Sequence, residues 1–313
     1  MAGIGVTVQR FSVAGDKMKD AGPRPRLNVL LAAPRGFCAG VTRAIEIVEK
    51  ALEAYGAPVF VRHEIVHNAH VVRRLEAMGA VFIEDVAAAP PDRPIVFSAH
   101  GAPADAHAEA RNRGMTLIDA ACPLVLKVHA QVRRFVAQGR HIFVVGHRDH
   151  PEVAGVIGQA PAERFTIVET LEDAERVAPP EGPTAYVTQT TLSVDDTRAI
   201  VDVLKSRLPG LIGPQKDDIC YATSNRQDAV KAIAARARAV FVIGSPSSSN
   251  SQRLVDVARG AGAMRASLIE DPETADFSHL EPGDVVGVTA GASAPEDLVE
   301  DLLAAMARRF SLT

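Results

Sequence analysis

Short apolar runs alternate with amphipathic segments along most of this chain. Strands that alternate with helices in this way form parallel sheets covered by helices, so the sequence predicts an α/β protein with mostly parallel sheets. The predicted strands are Asn28–Ala33, Val59–Ile65, Ala80–Ile83, Ile95–Ser98, Thr116–Ala120, Ile142–Val145, Ala185–Thr188, Val240–Ile243 and Val285–Val288.

Several residues mark where the intervening helices should begin and end. Gly56 follows the first amphipathic segment and is a typical stop signal. Asn68 and Ser193 are predicted N-caps, because their side chains can accept a hydrogen bond from the first helical turn. Ser293 with Glu296 forms a capping-box pattern ahead of the last helix.

The chain's size and charge limit its organisation and its partners. Its 313 residues suffice for two or three domains, and a net charge of −4 gives no sign of a nucleic-acid or membrane-surface partner. No apolar run approaches the ~20 residues of a membrane span. Residues 1–26 lack the apolar stretch of a secretory signal, and we expect them to form a poorly ordered extension. Three cysteines cannot all pair, so we expect a reducing, cytoplasmic setting.

The three cysteines occur in matching contexts. Cys38 in RGFCAG, Cys122 in DAACPL and Cys220 in DDICYA each lie just before an amphipathic helix, and their separations match the length of small α/β units. Pro123 suits the first turn of a helix, and a helix N-terminus favours a thiolate.

One cysteine alone is more often a core residue than a ligand, but three in matching contexts favour a shared site. Zinc ligands usually come in close pairs, which these are not. Three thiolates could instead hold an iron–sulfur cubane and leave one iron open to substrate.

Three histidines also occupy matching positions. His67 in VRHEIVHN, His100 in FSAHG and His150 in GHRDHPE each follow a predicted strand. Ligands of α/β sheets bind beyond the carboxyl ends of the strands, so these side chains are candidates for a binding site. His63 and His147 are close rivals.

Further polar residues follow other strands. Glu152, behind a proline, could donate protons if burial raises its pKa, and Thr190 lies at the end of another predicted strand. The run Ser247–Ser251 opens a helix and offers hydroxyls, an amide and backbone N–H groups to an anion, and Ser293 repeats this arrangement at the last strand. No GxxxxGK[ST] or GxGxxG loop indicates a nucleotide site.

Nine ordered motifs between about Leu27 and about Asp297 resemble the 4-hydroxy-3-methylbut-2-enyl diphosphate reductase family, the last enzymes of the non-mevalonate isoprenoid pathway. The motifs are PRGFCAGV, VRHEIVHN, FSAHG, DAACPLV, GHRDHPEV, TQTTLSVDD, DDICYATSNRQ, SSSNSQRL and VTAGASAP.

The resemblance implies three small α/β domains in pseudo-threefold arrangement around one central [4Fe–4S] cluster. Their expected ranges are 41–122, 123–219, and 27–40 together with 220–313. By resemblance the cluster ligands are Cys38, Cys122 and Cys220, and the substrate's hydroxyl would meet the iron that lacks a protein ligand.

The resemblance also implies the enzyme class, an iron–sulfur oxidoreductase, and its reaction. In this reaction two electrons and two protons remove the substrate's hydroxyl as water. The products are isopentenyl and dimethylallyl diphosphate, and the electrons would come from a ferredoxin or flavodoxin-type donor. Glu152 is the expected proton donor, Thr190 the relay, and His150 part of the same catalytic pocket. The allylic diphosphate is expected to contact His67, His100, His150, Thr190, Ser248, Ser249, Asn250 and Ser293.

This set of diphosphate contacts contains no Arg, Lys or magnesium ligand, so we expect protonated histidines to supply the positive charge. Ala121 stands where a threonine often precedes the second cysteine in the family. Three alternatives stay open at the level of sequence: a cluster-dependent lyase resembling quinolinate synthase, an iron or redox sensor, and a structural zinc site.

Overall fold

The computed structural model describes residues 24–313. The predicted N-terminal extension, residues 1–26, therefore lies almost entirely outside the described residues. The described chain divides into two compact units. One unit joins the segment that ends at Cys38 to Tyr221–Thr313, and the other is Ala39–Cys220. The finer, three-domain division stays a prediction.

Twelve strands occur within residues 24–313. They are β1 (Arg26–Leu31), β2 (Val59–Arg62), β3 (Ala80–Ile83), β4 (Ile95–Phe97), β5 (Leu117–Asp119), β6 (His141–Val145), β7 (Phe165–Val168), β8 (Thr184–Thr188), β9 (Ala239–Ile243), β10 (Arg265–Ile269), β11 (Val285–Ala290) and β12 (Ser311–Leu312).

Ten α-helices lie in the same part of the chain. They are α1 (Ala39–Tyr55), α2 (Ala69–Ala77), α3 (Ala104–Asn112), α4 (Pro123–Ala137), α5 (Pro151–Ile157), α6 (Leu171–Arg176), α7 (Val194–Arg207), α8 (Tyr221–Ala234), α9 (Ser249–Gly260) and α10 (Glu296–Ala307).

The first unit contains one parallel sheet with strand order β10-β9-β11-β1-β12. Its strand residues alternate between two cores, as the two-residue period of a strand requires. On one face Leu27 and Leu31 of β1 pack with Leu302 of α10. On the other face Val242 of β9 packs with Leu254 of α9. Helices therefore cover both faces of the sheet.

The second unit contains two parallel sheets, with strand orders β3-β2-β4-β5 and β7-β6-β8. Phe97 of β4 packs against Ala106 of α3 in the first of these sheets. In the second, Val144 of β6 packs with Val132 of α4 on one face, while Phe143 packs with Leu204 of α7 on the other. The α/β class and the parallel sheets are confirmed.

All nine predicted strands are present, and β7, β10 and β12 are additional. Each additional strand lies at a sheet edge. Edge strands are part-exposed and carry polar residues, which weakens the apolar pattern on which the prediction depends. β10, for example, has the sequence RASLI.

The predicted helix boundaries are correct except at α10. Asn68 accepts hydrogen bonds from the backbone N–H groups of His70 and Val71 at 3.0 and 3.1 Å, and Ser193 accepts one from Asp196 at 3.2 Å. Gly56 follows the last residue of α1.

The capping box at Ser293 and Glu296 is wrong. Pro295 is the N-cap of α10, and Glu296 is the first helical residue. Ser293 lies too far upstream to cap this helix, because an extended proline stands between it and the first turn. Its Oγ lies instead 3.2 Å from Ser248 Oγ.

Candidate active site

The three cysteines occupy equivalent backbone positions. Each donates its N–H to a carbonyl two residues beyond the end of a parallel strand. The pairs are Cys38 with Ala292 after β11, Cys122 with Ala99 after β4, and Cys220 with Thr190 after β8, at 3.2, 3.0 and 3.1 Å. The carboxyl end of a parallel strand therefore fixes the backbone of each cysteine, which is where ligands of α/β sheets bind.

Each cysteine also stands at a helix start. Cys122 is the N-cap of α4, with Pro123 in the first turn, and Cys38 and Cys220 directly precede α1 and α8. The partial positive charge of a helix N-terminus stabilises a thiolate. All three are part-exposed, and none forms a disulfide within the described chain. The three cysteines, which have similar contexts in the sequence, therefore also have similar backbone surroundings in the structure.

The donor set of three thiolates is chemically suited to an iron–sulfur cubane. Within residues 24–313, no group of three or more His, Cys, Asp or Glu side chains could hold a metal ion. Structural zinc sites usually have four protein ligands, and the three cysteines would supply three of them. In a cubane each thiolate binds a different iron, so three cysteines leave one iron without a protein ligand.

His67, His100 and His150 come together in the second unit. The rings of His67 and His100 stack with centroids 4.2 Å apart, and His150 meets them edge-on at 5.2 and 5.7 Å. The rival His63 instead contacts Glu84, and His147 contacts Glu169. The structure thus brings together the three histidines that the sequence ranked first.

The hydrogen bonds of His150 fix its tautomer. Its Nδ1 accepts the backbone N–H of Glu152 at 3.1 Å, so a neutral ring carries its proton on Nε2. His150 Nε2 is buried and has no hydrogen-bond partner among residues 24–313. A buried donor without an acceptor costs free energy, and an anionic ligand would satisfy it.

At two of the three rings, burial opposes the protonated form that the sequence led us to expect. Burial lowers the pKa of His150 to about 3, with His67 and His147 adding to the effect. Burial also lowers the pKa of His100 well below its usual value. Both rings are therefore neutral near pH 7 and can offer an N–H donor without a charge. His67 has a carboxylate beside it, with Glu64 Oε2 at 3.0 Å from Nδ1.

Glu152 and Thr190 form a buried pair in the second unit. Glu152 is in the first turn of α5, and Thr190 lies two residues beyond β8. The Thr190 backbone N–H donates to Glu152 Oε1 at 2.6 Å, and the Thr190 hydroxyl donates to Oε2 at 2.9 Å. Because Pro151 begins α5 right after His150, the start of this helix carries both Glu152 and one of the three clustered histidines.

Burial raises the pKa of Glu152 to about 7. The two hydrogen bonds from Thr190 oppose this shift, and the negative charge of Asp218 adds to it. Near neutral pH the carboxyl group therefore exists in both its protonated and its ionised form. A group with a pKa near the working pH is well suited to proton transfer.

Ser248, Asn250 and Ser293 lie together in the first unit. Ser248 is the N-cap of α9, and Ser293 Oγ is 3.2 Å away. Asn250 Oδ1 accepts the backbone N–H of Ala292 at 2.9 Å, which ties the loop that carries Ser293 to the start of α9. Ser249, the first residue of α9, is part-exposed. The predicted hydroxyl and amide cluster therefore exists in the folded chain.

Ser251 belongs to this cluster but is absent from the substrate contacts expected from the sequence. It is fully buried between Gly244 and Gly291, and a Cβ on either glycine would overlap its side chain. Within residues 24–313, Ser248 Oγ is the hydrogen-bond partner of its hydroxyl, at 3.0 Å. Its N–H reaches the same oxygen at 3.3 Å.

Because the Ser251 hydroxyl has no other acceptor in the described part of the chain, it must donate to Ser248 to avoid an unsatisfied buried O–H. Ser248 Oγ then accepts from the Ser251 N–H and hydroxyl and, at 3.2 Å, from the Ser293 hydroxyl, so its own proton points away from these three donors. Ser248 thus becomes a donor. The sequence signal was the pair of glycines, one directly after each of β9 and β11.

No helix within residues 24–313 is long and apolar enough to span a lipid bilayer.

Comparisons with known proteins agree on one family. Residues 29–307 match the model of the family described as LytB protein. The chain is 58% identical over 291 residues to the 4-hydroxy-3-methylbut-2-enyl diphosphate reductase of Phenylobacterium zucineum, covering 93% of this chain and 92% of the relative. It is 54% identical over 291 residues to the reductase of the same name in Paracoccus denitrificans, with the same coverage.

Solved structures give the same result. The E-1-hydroxy-2-methyl-but-2-enyl-4-diphosphate reductase of Plasmodium falciparum superposes with a TM-score of 0.86 at 35% identity, covering 93% of this chain and 92% of the other. A structure of (E)-4-hydroxy-3-methyl-but-2-enyl diphosphate reductase, described as the terminal enzyme of the non-mevalonate pathway, has a TM-score of 0.64 at 29% identity, covering 90% of this chain and 99% of that one.

Proposed function

This chain belongs to the LytB protein family, and from that premise we propose that it reduces (E)-4-hydroxy-3-methylbut-2-enyl diphosphate to isopentenyl and dimethylallyl diphosphate. The reaction consumes two electrons and two protons. One proton leaves with the substrate's hydroxyl as water, and the other ends on a carbon of the allylic skeleton. The observation that carries the proposal is the buried Glu152 carboxyl group, which Thr190 holds two residues after His150, one of the three converging histidines.

Cys38, Cys122 and Cys220 are the residues that would hold a [4Fe–4S] cluster, one per chain. Support comes from their shared backbone position at helix starts and from the soft thiolate donors that such clusters require. When bound, the cluster would supply the electrons and one iron without a protein ligand. A ferredoxin or flavodoxin-type protein is the proposed electron source. Thiolate ligands need a reducing setting, which fits a cytoplasmic location.

Proton transfer would start at Glu152. The Thr190 N–H occupies Oε1 at 2.6 Å, so the acidic proton is held on Oε2, which faces the Thr190 hydroxyl at 2.9 Å. Protonated Glu152 then donates to Thr190 Oγ1, and the Thr190 proton is free to pass to the substrate. This order makes Glu152 the proton donor and Thr190 the relay.

The diphosphate would be bound by neutral donors. His150 presents its buried Nε2–H, His100 is held neutral by burial, and Ser248 is made a donor by Ser251. His67, Ser249, Asn250 and Ser293 complete the proposed set. Ser248 and Ser249 also lie at the N-terminus of α9, whose dipole favours an anion.

Single turnover of the anaerobically reconstituted enzyme with the allylic diphosphate tests this function. The wild type should convert the substrate, and Glu152→Gln should lose about 10²–10⁴-fold in rate while keeping its cluster spectrum. Glu163→Gln, which changes an exposed carboxyl group outside the site, is the matched control. Full activity in Glu152→Gln would refute the proton-donor role, and no conversion by the wild type would refute the function.

A further inference from the structure

Three cationic side chains bind the backbone just before the three cysteines. In each case a guanidinium or ammonium group donates a hydrogen bond to a main-chain carbonyl oxygen. The hydrogen bonds are Arg226 Nη2 and Nε to Gly36 O at 2.5 and 3.2 Å, Arg43 Nη1 to Ala121 O at 3.1 Å, and Lys127 Nζ to Lys216 O and Asp217 O at 2.9 and 3.1 Å.

These three cations follow a cyclic order. Arg43 and Lys127 each lie five residues after a cysteine, and Arg226 lies six residues after one. Each cation is on the helix that follows its own cysteine, but it holds the loop of a different cysteine. The helix after Cys38 holds the loop of Cys122, the helix after Cys122 holds the loop of Cys220, and the helix after Cys220 holds the loop of Cys38.

We call each of these cation–carbonyl contacts a tie. The tie at Cys122 shows how such a contact fixes the backbone of a proposed ligand. The carbonyl of Ala121 and the N–H of Cys122 belong to one planar peptide group. Arg43 holds the carbonyl at 3.1 Å, and the carbonyl of Ala99 holds the N–H at 3.0 Å. Both ends of the peptide are bound, so the direction of the Cys122 side chain is set from two sides.

The tie at Cys38 uses a buried charge. Arg226 is 4% exposed, and its guanidinium also donates to the carbonyl of Ala222 at 2.8 Å. A buried arginine is unfavourable unless its donors are satisfied, and carbonyls satisfy these. Gly36, whose carbonyl Arg226 binds, has its own N–H on Ala290 O at 3.2 Å. The backbone before Cys38 is thus held both at the carbonyl and at the N–H of Gly36.

The tie at Cys220 includes an ion pair. Besides the two carbonyls, Lys127 Nζ lies 3.3 Å from Oδ1 of Asp218, whose side chain is fully buried. Asp218 Oδ2 accepts the backbone N–H of Thr188 at 3.2 Å. This places the segment before Cys220 along the end of β8, where the Thr190 carbonyl binds the Cys220 N–H at 3.1 Å.

We propose that Arg43, Lys127 and Arg226 are positioning residues, each of which holds the cluster-binding loop of the next cysteine in a three-membered cycle. The inference rests on the proposed role of the cysteines as cluster ligands. It assigns one particular cysteine to each cation. A variant that only lowered the overall stability of the protein would not affect one cysteine segment more than the others.

Amide hydrogen exchange of the anaerobically reconstituted enzyme tests the assignment. We expect exchange to become about tenfold faster in the segment around Cys220 for Lys127→Met and around Cys38 for Arg226→Met, because a charged hydrogen bond holding that backbone is lost. Arg43 is exposed, so its hydrogen bond is weaker. Arg43→Met should therefore speed up amide exchange in the segment around Cys122 by a smaller factor, about threefold. Each change should be confined to the assigned cysteine.

Matched controls are available on two of the same helices. Lys50→Met on α1 removes an exposed pair with Glu46, and Arg133→Met on α4 removes a contact with Gln159. Neither should change exchange at any cysteine. Release of iron to a chelator should be faster in the three test variants and unchanged in the two controls.

Acceleration spread evenly over the chain, confined to the variant's own helix, or equal to that of the controls would overturn the proposal. If Arg226→Met does not fold, Arg226→Lys keeps the charge with fewer donors and should still accelerate the segment around Cys38. A wild type that takes up no iron and sulfide would refute the cluster assignment, while the exchange pattern would still report the three ties.

Discussion

Thr190 binds both carboxylate oxygens of Glu152, one through its backbone N–H at 2.6 Å and the other through its hydroxyl at 2.9 Å. These two bonds stabilise the ionised carboxylate, while burial stabilises the protonated form more strongly, and the pKa of Glu152 is raised to about 7. The same residue therefore limits how far the pKa of the carboxyl group rises, and it is the proposed acceptor of the carboxyl proton.

Thr190→Val should slow single turnover by about 10–100-fold, because it removes the hydroxyl that would relay the proton. Valine has nearly the same shape, so the fold should be kept. The lost hydrogen bond lowers the pKa of Glu152 in the wild type, so its pKa should rise in the variant and the alkaline limb of the pH–rate profile should move to higher pH. Thr190→Ser, which keeps the hydroxyl, should stay within a few-fold of the wild type. A wild-type rate and profile in Thr190→Val would exclude the relay.

Glu152→Gln should change how stability depends on pH. In the folded wild type the pKa of Glu152 is about 7, against an ordinary value of 4.5. Between these values the unfolded chain releases a proton that the folded chain retains, so the free energy of unfolding falls as pH rises and is constant again above pH 7. The loss should be about 3 kcal/mol.

Glutamine does not titrate and can still accept the Thr190 N–H. Anaerobic urea unfolding from pH 4 to 8 should therefore show the variant gaining stability relative to the wild type as pH rises. A difference that does not vary with pH would show that the pKa of Glu152 is not raised in the folded chain.

Ser251→Ala should weaken diphosphate binding by about tenfold with little change in kcat, because the Ser248 proton could then turn toward the chain instead of the ligand. Competition by inorganic diphosphate against turnover measures the affinity. In a Ser248→Ala background, adding Ser251→Ala should have almost no further effect, since its hydroxyl would have no partner there. Fully additive losses would mean that Ser251 acts by packing alone. Ser224→Ala, a part-exposed serine on α8, is the control.

Cys220→Ser should lower the iron and sulfide bound after anaerobic reconstitution and abolish the cluster's visible absorption, because a hydroxyl is a far weaker ligand than a thiolate. The cysteine is part-exposed, so the thermal unfolding of the cluster-free protein should change little. Cys38→Ser and Cys122→Ser should behave alike if the three positions are equivalent. Retention of a full cluster in any one of them would remove that cysteine from the ligand set.

The order of strands and helices could be predicted because it depends on local patterns. Alternating apolar residues indicated nine strands, and the caps at Asn68 and Ser193 were visible because capping needs only a few neighbouring residues. The edge strands β7, β10 and β12 were not predicted, because exposure weakens the apolar pattern of an edge strand. The cap at Ser293 failed because Pro295 shifted the start of α10.

The sequence by itself determined the α/β class, the three cysteine contexts and the family, since these depend on residue type and order along the chain. The protonation of the site was decided only by tertiary structure. Burial makes His100 and His150 neutral and keeps Glu152 partly protonated, and the environment that produces these shifts comes from distant segments.

The same holds for the support of the cysteines. The hydrogen bond from Arg226 to Gly36 joins residues 190 positions apart, and those from Lys127 to Lys216 and Asp217 span 89 and 90. No local pattern encodes such pairs. The cysteines can be recognised in the sequence as candidate ligands of one cofactor, but what fixes each of them is a contact that exists only after the chain has folded.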